Sequence, residues 1–223
     1  MYEDKQAWYY AFVRRDIEPL LPVHSARVME VGCGGGGTLD WLKNSGRAHW
    51  TAGIELSSEA AVVAKSRVDE VHCGDVDCLL AEFPAESFDL ILCLDVLEHL
   101  VDPWTTLKKL HGLLRPGGRI ISSLPNIRHY SVVLPLLFGG RWDYQDAGIM
   151  DRTHLRFFSR KGMGALMSQS GLREICALPT FAWGTWDKWK DMLTFGLFRG
   201  LLAFQYLVLA ERPVETRGEP SLS

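Results

Sequence analysis

The chain has 223 residues, 47% of them hydrophobic and 23% charged, a balance that excludes wholesale disorder, collagen and coiled coil and suits one α/β domain with a sizeable core. Lysine and arginine number 24 against 27 acidic residues, a net charge of −3, so no global basic field is present to hold a nucleic acid. The five cysteines, Cys33, Cys73, Cys78, Cys93 and Cys176, contain no C-x-x-C pair, which argues against a disulfide framework or a zinc knuckle and fits reduced thiols in a cytoplasm.

The N-terminal residues carry early acids and no apolar segment of the signal-peptide kind. Residues 1–26, with Trp8, Tyr9, Tyr10 and Phe12, read as a helical cap outside a sheet. From Arg27 onward short apolar runs alternate with helical patterns, the signature of βαβ units and a parallel sheet. Strands are expected at 27–31, 50–55, 70–73, 88–94 and 119–124, several as continuous apolar runs, as strands covered on both faces should be. Helices are expected at 38–44, 58–68 and 103–114, with Ser57 or Ser58 capping the second and Pro103 in the first turn of the third. Arg115-Pro-Gly-Gly then turns the chain into the next strand.

The alternation loosens after Leu124. Residues 126–156 read as an insertion forming a lid or substrate wall. Beyond it come a helix at 159–169, a strand at 172–178, a helix at 186–202 and a last strand at 204–212, followed by a polar frayed tail at 213–223. The apolar stretch 195–210 is broken by Arg199 and Gln205 and falls short of the roughly 20 residues that span a bilayer.

Of the 21 glycines, the densest group is Val28-Met-Glu-Val-Gly-Cys-Gly-Gly-Gly-Gly-Thr38, after a strand and before a helix. A doubly wound sheet binds its cofactor there, because glycine permits a tight turn and close approach of backbone to ligand. Gly32, Gly34 and Gly37 satisfy the dinucleotide pattern G-x-G-x-x-G; Glu30-x-Gly32-x-Gly34-x-Gly36 satisfies the pattern of S-adenosylmethionine enzymes. The glycines alone leave both open. Glu55 ends the second strand 19 residues beyond Gly36, near the roughly 20 expected of a ribose-binding carboxylate.

Glycine-loop, Glu55, Cys73-Gly-Asp75-Val76, the run from Phe88 to Leu94 leading into Asp95-Val-Leu-Glu98-His99, and Leu114-Arg-Pro-Gly-Gly together resemble class I S-adenosylmethionine-dependent methyltransferases. The resemblance implies a Rossmann-like, doubly wound, mostly parallel seven-stranded sheet with an antiparallel C-terminal strand, one domain over 1–212. It implies that Gly32, Gly34 and Gly36 pass under the methionine part of S-adenosylmethionine and that Glu30 lies near its ammonium. Glu55 would hold the ribose hydroxyls, Asp75 the adenine amino group, Val76 the ring, and Leu94 would offer a carbonyl.

Methyl transfer from a sulfonium needs alignment and exclusion of water, with a base helpful when the acceptor is a hydroxyl. His154 in Asp151-Arg-Thr-His154-Leu-Arg156 is the first choice for that base, with Asp151 orienting it or sharing its role. Arg128, His129, Arg152 and Arg156 are expected to grip the acceptor; these elements resemble methyltransferases of surface-polysaccharide and glycan pathways. Asp95, Glu98 and His99 resemble an acid-x-x-Glu-His set that binds a divalent metal in ubiquinone-type relatives, but the reading taken here is that the Glu-His pair caps the loop without metal.

The expected function is methylation of an oxygen on a small-molecule or saccharide-like acceptor, with no nucleic-acid partner. A nicotinamide-dependent oxidoreductase is the first rival; against it, Gly74-Asp75 and Leu-Arg-Pro-Gly-Gly have no role in hydride transfer. A non-catalytic partner subunit with the same fold is the second. Trp183, Trp186 and Trp189 beside Lys188 and Lys190 are read as packing over the sheet edge or a dimer interface, with peripheral contact to a membrane surface as the alternative.

Overall fold

The strands are β1 (Ser25–Val31), β2 (Ala48–Glu55), β3 (Glu70–Cys73), β4 (Phe88–Leu94), β5 (Leu114–Pro125), β6 (Arg173–Thr180) and β7 (Gln205–Glu211). In the computed structural model, which describes residues 12–182 and 186–214, they form one sheet in the order β3-β2-β1-β4-β5-β7-β6. The first five pair in parallel, and β7 runs antiparallel to both β5 and β6.

The apolar runs are continuous because both faces of the sheet are covered. Along β4, Ile91 and Cys93 enter one core layer with Met29, Ile54, Leu107 and Leu110, while Leu90, Leu92 and Leu94 enter the other with Val28, Leu39 and Leu42. Helices α1 (Gly37–Asn44), α2 (Ser58–Ala64), a single turn α3 (Val76–Leu79), α4 (Pro103–Leu113) and α6 (Arg160–Gln169) accompany the strands. Their starts are chemically marked: Ser57, Asp102 and Ser159 accept hydrogen bonds from the amides of Ala60, Thr105 and Gly162. Strand β5 begins five residues earlier than expected, at Leu114. Leu114 pairs with Phe88 and Arg119 with Leu90, so the Arg-Pro-Gly-Gly sequence is accommodated by a shift in register.

Three expectations are corrected. Part of the 126–156 insertion is helical, α5 (Tyr130–Gly139), despite Pro135 within it. The expected helix at 186–202 is two, α7 (Asp187–Leu193) and α8 (Arg199–Leu202), because Phe195 and Gly196 take left-handed φ values of 51° and 78° between them. In the N-terminal segment, residues 15–20 form a 3-10 helix and β1 starts at Ser25; Trp8, Tyr9 and Tyr10, like Trp183 and residues 215–223, lie outside the described residues. Among the described residues no helix is long and apolar enough to cross a membrane.

Candidate active site

Strand order reverses between β1 and β4, and at the carboxyl ends of the strands there lies a cavity of about 280 Å³, the position expected for a ligand in a doubly wound sheet. Its lining comes from the ends of β1, β2, β3 and β4 and includes Gly32, Gly34, Glu55, Asp75, Val76 and Leu94. Six of the eight residues expected around the cofactor are therefore brought together.

The glycine loop is built by the backbone. Gly32 N and Cys33 N both donate to Ile54 O, at 2.8 and 3.2 Å, and Gly36 N closes a turn onto Cys33 O at 2.9 Å. At φ +70° Gly32 adopts a conformation that L side chains avoid, and a Cβ there would stand 2.6 Å from Val96 Cγ2. Gly36 does not line the cavity. It caps α1 in a left-handed conformation, and a Cβ would lie 2.7 Å from Val68 Cγ2, so its role is close packing of the loop against the end of α2.

Glu55 is the hub of the site. One carboxylate oxygen accepts from Gly34 N and the other from Ser57 N, both at 2.8 Å, so the same side chain that faces the cavity ties the loop after β1 to the end of β2. Asp75 also has a local duty, accepting from Asp77 N at 2.8 Å as the cap of α3. Glu30 lies beneath the cavity rather than in its lining. Its buried Oε2 has no hydrogen-bond partner among the described residues, and burial pushes its pKa up to about 8 against the pull of nearby Arg14.

Arg14 was not anticipated. Its guanidinium pairs with Asp16 at 2.9 Å, with Asp95, and with Ser123 Oγ at 3.3 Å, which brings the N-terminal segment onto the ends of β4 and β5. Nothing local in the sequence distinguishes it from Arg15. Asp95 takes a left-handed φ of 58°, donates its amide to Ser123 Oγ at 2.8 Å and accepts from Gln205 as well as Arg14. It is thus a joint among three chain segments, and it does not join Glu98 and His99 in a ligand set.

The set that does form is Glu98, His99 and His154, whose ligand atoms all lie within 4.8 Å of one another. Glu98 is buried, neither carboxylate oxygen has a partner among the described residues, and burial holds its pKa well above the usual carboxylate range. Its carbonyl accepts from Leu155 N and Arg156 N at 2.8 and 3.0 Å, fastening the segment around His154 onto the loop after β4. His99 lines the cavity, with Nδ1 3.1 Å from Thr153 O. His154 stands behind it, 8% exposed, its ring 4.8 Å from that of His99 in an edge-on contact. The imidazole that meets the cavity is therefore His99, not His154.

The other expected acceptor residues do not converge. Asp151 accepts from Thr153 N and Oγ1 at 2.8 and 2.6 Å, and those bonds overcome its partial burial to lower its pKa; His154 Nδ1 is held by Ile149 O at 3.0 Å, so a backbone carbonyl does the orienting expected of Asp151. Arg152 pairs with Asp146 at 3.2 Å in solvent. Arg156 bonds the carbonyl of Val101, itself on the cavity lip, and Arg128 is exposed beside Gly200. His129 is buried against Phe204 with Nδ1 2.7 Å from Ser131 Oγ, a packing position that also caps α5.

A seven-stranded sheet with a reversed last strand, a glycine loop after β1 and a carboxylate ending β2 define the class I S-adenosylmethionine-dependent methyltransferase fold. The family described as methyltransferase domain matches residues 6–177, and the chain belongs to that family. Among solved structures it is similar to an S-adenosylmethionine-dependent methyltransferase from Mesorhizobium loti, with a TM-score of 0.63 and 19% identity over 88% of this chain and 96% of that one. A counterpart from Archaeoglobus fulgidus gives 0.63 and 16% over 88% and 91%. Among curated proteins it is similar to ubiquinone biosynthesis O-methyltransferases, 30% identical for Coxiella burnetii over 56% of this chain and 54% of the relative. For Xylella fastidiosa the identity is 41%, over 51% and 48%. The chain spans about half the length of these curated relatives.

Proposed function

We propose that this chain transfers the methyl group of S-adenosylmethionine to an oxygen of a small hydroxylated acceptor, phenolic or saccharide-like. The observation that carries the reading is the placement of His99, with His154 and Glu98 behind it, on the wall of the cavity that Gly32, Gly34, Glu55 and Asp75 also line. The names of the curated relatives, O-methyltransferases of ubiquinone biosynthesis, support oxygen as the acceptor atom.

The residues present fit the cofactor. A carboxylate at the end of β2 suits a ribose diol, an exposed Asp75 suits an amino group, and the buried oxygen of Glu30, without a partner among the described residues, suits a cationic group. When bound, S-adenosylmethionine supplies an activated methyl on a positively charged sulfur, so the leaving group needs no acid. The chain's own task is orientation, exclusion of water, and removal of the acceptor's proton. In this reading Glu55, held by the Gly34 amide, fixes the ribose end, and the imidazole of His99 takes the proton as the new carbon–oxygen bond forms. His154 lies edge-on against His99 and holds its ring in place, its own Nδ1–H anchored on Ile149 O.

The experiment is methyl transfer to a panel of phenols and sugars by the wild type and by His99→Ala and His154→Ala. Both variants are expected to keep their affinity for S-adenosylhomocysteine, with turnover lowered about 10²-fold or more in His99→Ala, the usual contribution of a general base, and less in His154→Ala. Undiminished turnover in His99→Ala would refute the assignment.

A second reading is favoured by one observation, the two carboxylate oxygens of buried Glu98, without a partner among the described residues, beside two imidazoles. Oxygen and imidazole ligands suit magnesium, manganese or zinc, and a cation held by Glu98, His99 and His154 would lower the pKa of an acceptor hydroxyl directly. Loss of activity on exhaustive chelation, restored by one of these ions, is the result this reading requires.

A further inference from the structure

Helix α7 is inside out. Its two carboxylates, Asp187 and Asp191, are buried, and its large apolar side chains Trp189, Met192 and Leu193 face solvent together with Trp186 just before it. Of the two packing positions expected for the tryptophans, the sheet edge or a dimer interface, the exposure of Trp186 and Trp189 contradicts the sheet edge. The buried acids are used internally: Asp187 accepts from Lys190 Nζ at 3.0 Å and from Tyr130 Oη at 3.3 Å, and Asp191 holds Arg199 at 3.1 Å. The turn that follows continues the pattern, with Phe195 98% and Leu197 79% exposed.

Helix α5 adjoins this surface, because Tyr130 in its first turn meets Asp187 and Lys190 of α7. Val132 is its one buried residue; Leu134, Leu136, Leu137 and Phe138 are exposed, the last at 81%. Both elements, which meet through Tyr130, present apolar side chains to water, and exposed apolar surface of this extent is of the kind that marks an interaction surface.

The charges around the patch choose its occupant. In segments 128–144 and 186–202 Lys190 and Arg199 are paired with the buried Asp187 and Asp191, which leaves the exposed Arg128, Arg141 and Lys188 against one exposed carboxylate, Asp143. A second copy of this chain would bring the same cations face to face. We infer that α5, α7 and the turn after α7 form a docking face for the surface of a lipid bilayer that contains acidic phospholipids, with the aromatic and aliphatic side chains entering the headgroup boundary and the cations lying among the phosphates. The inference stands on this surface alone and does not depend on the methyl-transfer reading.

The test is co-sedimentation of the full chain with vesicles of phosphatidylcholine alone and of phosphatidylcholine mixed with phosphatidylglycerol. Binding is expected to the acidic vesicles, to weaken with added salt, and to be weak or absent with the neutral ones. Lys188→Glu with Arg141→Glu should weaken it by at least about fivefold per cation, and Phe195→Ser with Leu197→Ser should abolish it. All these side chains are exposed, so both double variants should keep the wild-type melting temperature and affinity for S-adenosylhomocysteine. Failure to bind acidic vesicles would overturn the inference, as would equal binding by the variants. A wild-type dimer that Phe195→Ser with Leu197→Ser dissociates, without vesicle binding, would overturn it in favour of a second copy. Because the readout is sedimentation, none of these outcomes touches the proposed reaction.

Discussion

Glu55→Gln separates the two duties that the structure gives to one carboxylate. The change is nearly isosteric, but a carboxylate offers two accepting oxygens and an amide only one, so either Gly34 N or Ser57 N, now bonded at 2.8 Å each, must face an amide donor instead. A hydrogen bond to a charged group contributes about 1.5–3 kcal/mol. Losing one in a side chain only 9% exposed should cost the apo protein about 2–3 kcal/mol. At about 2–4 °C per kcal/mol for a domain of this size, the melting temperature should fall by about 4–12 °C in a calorimetric scan. The same carboxylate is placed to accept from a ribose diol, and replacing that charged acceptor should weaken S-adenosylhomocysteine binding by about 10- to 100-fold, the equivalent of the same 1.5–3 kcal/mol, in an isothermal titration. A lower melting temperature with unchanged affinity would make Glu55 a loop anchor and remove it from the cofactor site. If neither quantity moves, the reasoning from the two amide contacts is wrong.

Three further outcomes follow from the same geometry. With the Glu30 pKa raised to about 8 by burial, the folded state holds a proton that the unfolded chain releases above about 4.5, so this group's contribution to stability declines as pH rises from about 4.5 to 8; thermal melts of Glu30→Gln should show a flatter pH dependence across that window, and an unaltered slope would contradict it. Because a cation above Glu30 favours its ionised form, S-adenosylmethionine binding at pH 7 should release a proton, measurable as a dependence of the binding enthalpy on the buffer's ionisation enthalpy, and Glu30→Gln should abolish that release. Gly36→Ala should destabilise the fold, by about 1–2 kcal/mol from backbone strain alone with the Val68 clash adding to it, while leaving cofactor affinity within a few-fold; a selective loss of affinity would place Gly36 in the cofactor site after all.

The sheet and the glycine loop were legible because their signals are local. A strand buried on both faces must be apolar at every position, as in Phe88–Leu94, and a turn that carries backbone at φ +70° and +77° needs glycine at Gly32 and Gly36. Glu55 was legible through its spacing from that turn. Helix α5 was not, because its apolar residues run around the whole helix and Pro135 sits in its interior, so no polar face or period announces it. The break after α7 had a readable sign in Gly196, whose amide bonds back to Asp191 O at 2.8 Å, a helix-ending arrangement. The placement of the acceptor-side residues was not legible for a different reason. Arg152 and Arg156 are satisfied by Asp146 and the Val101 carbonyl, partners fixed only when the loop after β4 and the 141–156 segment meet, and the exchange of His154 for His99 at the cavity wall has the same origin.

The central claim is that the methyl group goes to oxygen with a histidine of this site taking the proton. The direct measurement is carbon NMR of the products formed when the protein is given S-adenosylmethionine labelled with ¹³C in its methyl group and a mixture of phenols, sugars and amines. The account predicts a new O-methyl resonance that grows in step with S-adenosylhomocysteine and is suppressed in His99→Ala. Label appearing only on nitrogen or carbon, or an O-methyl signal undiminished in His99→Ala, would contradict it.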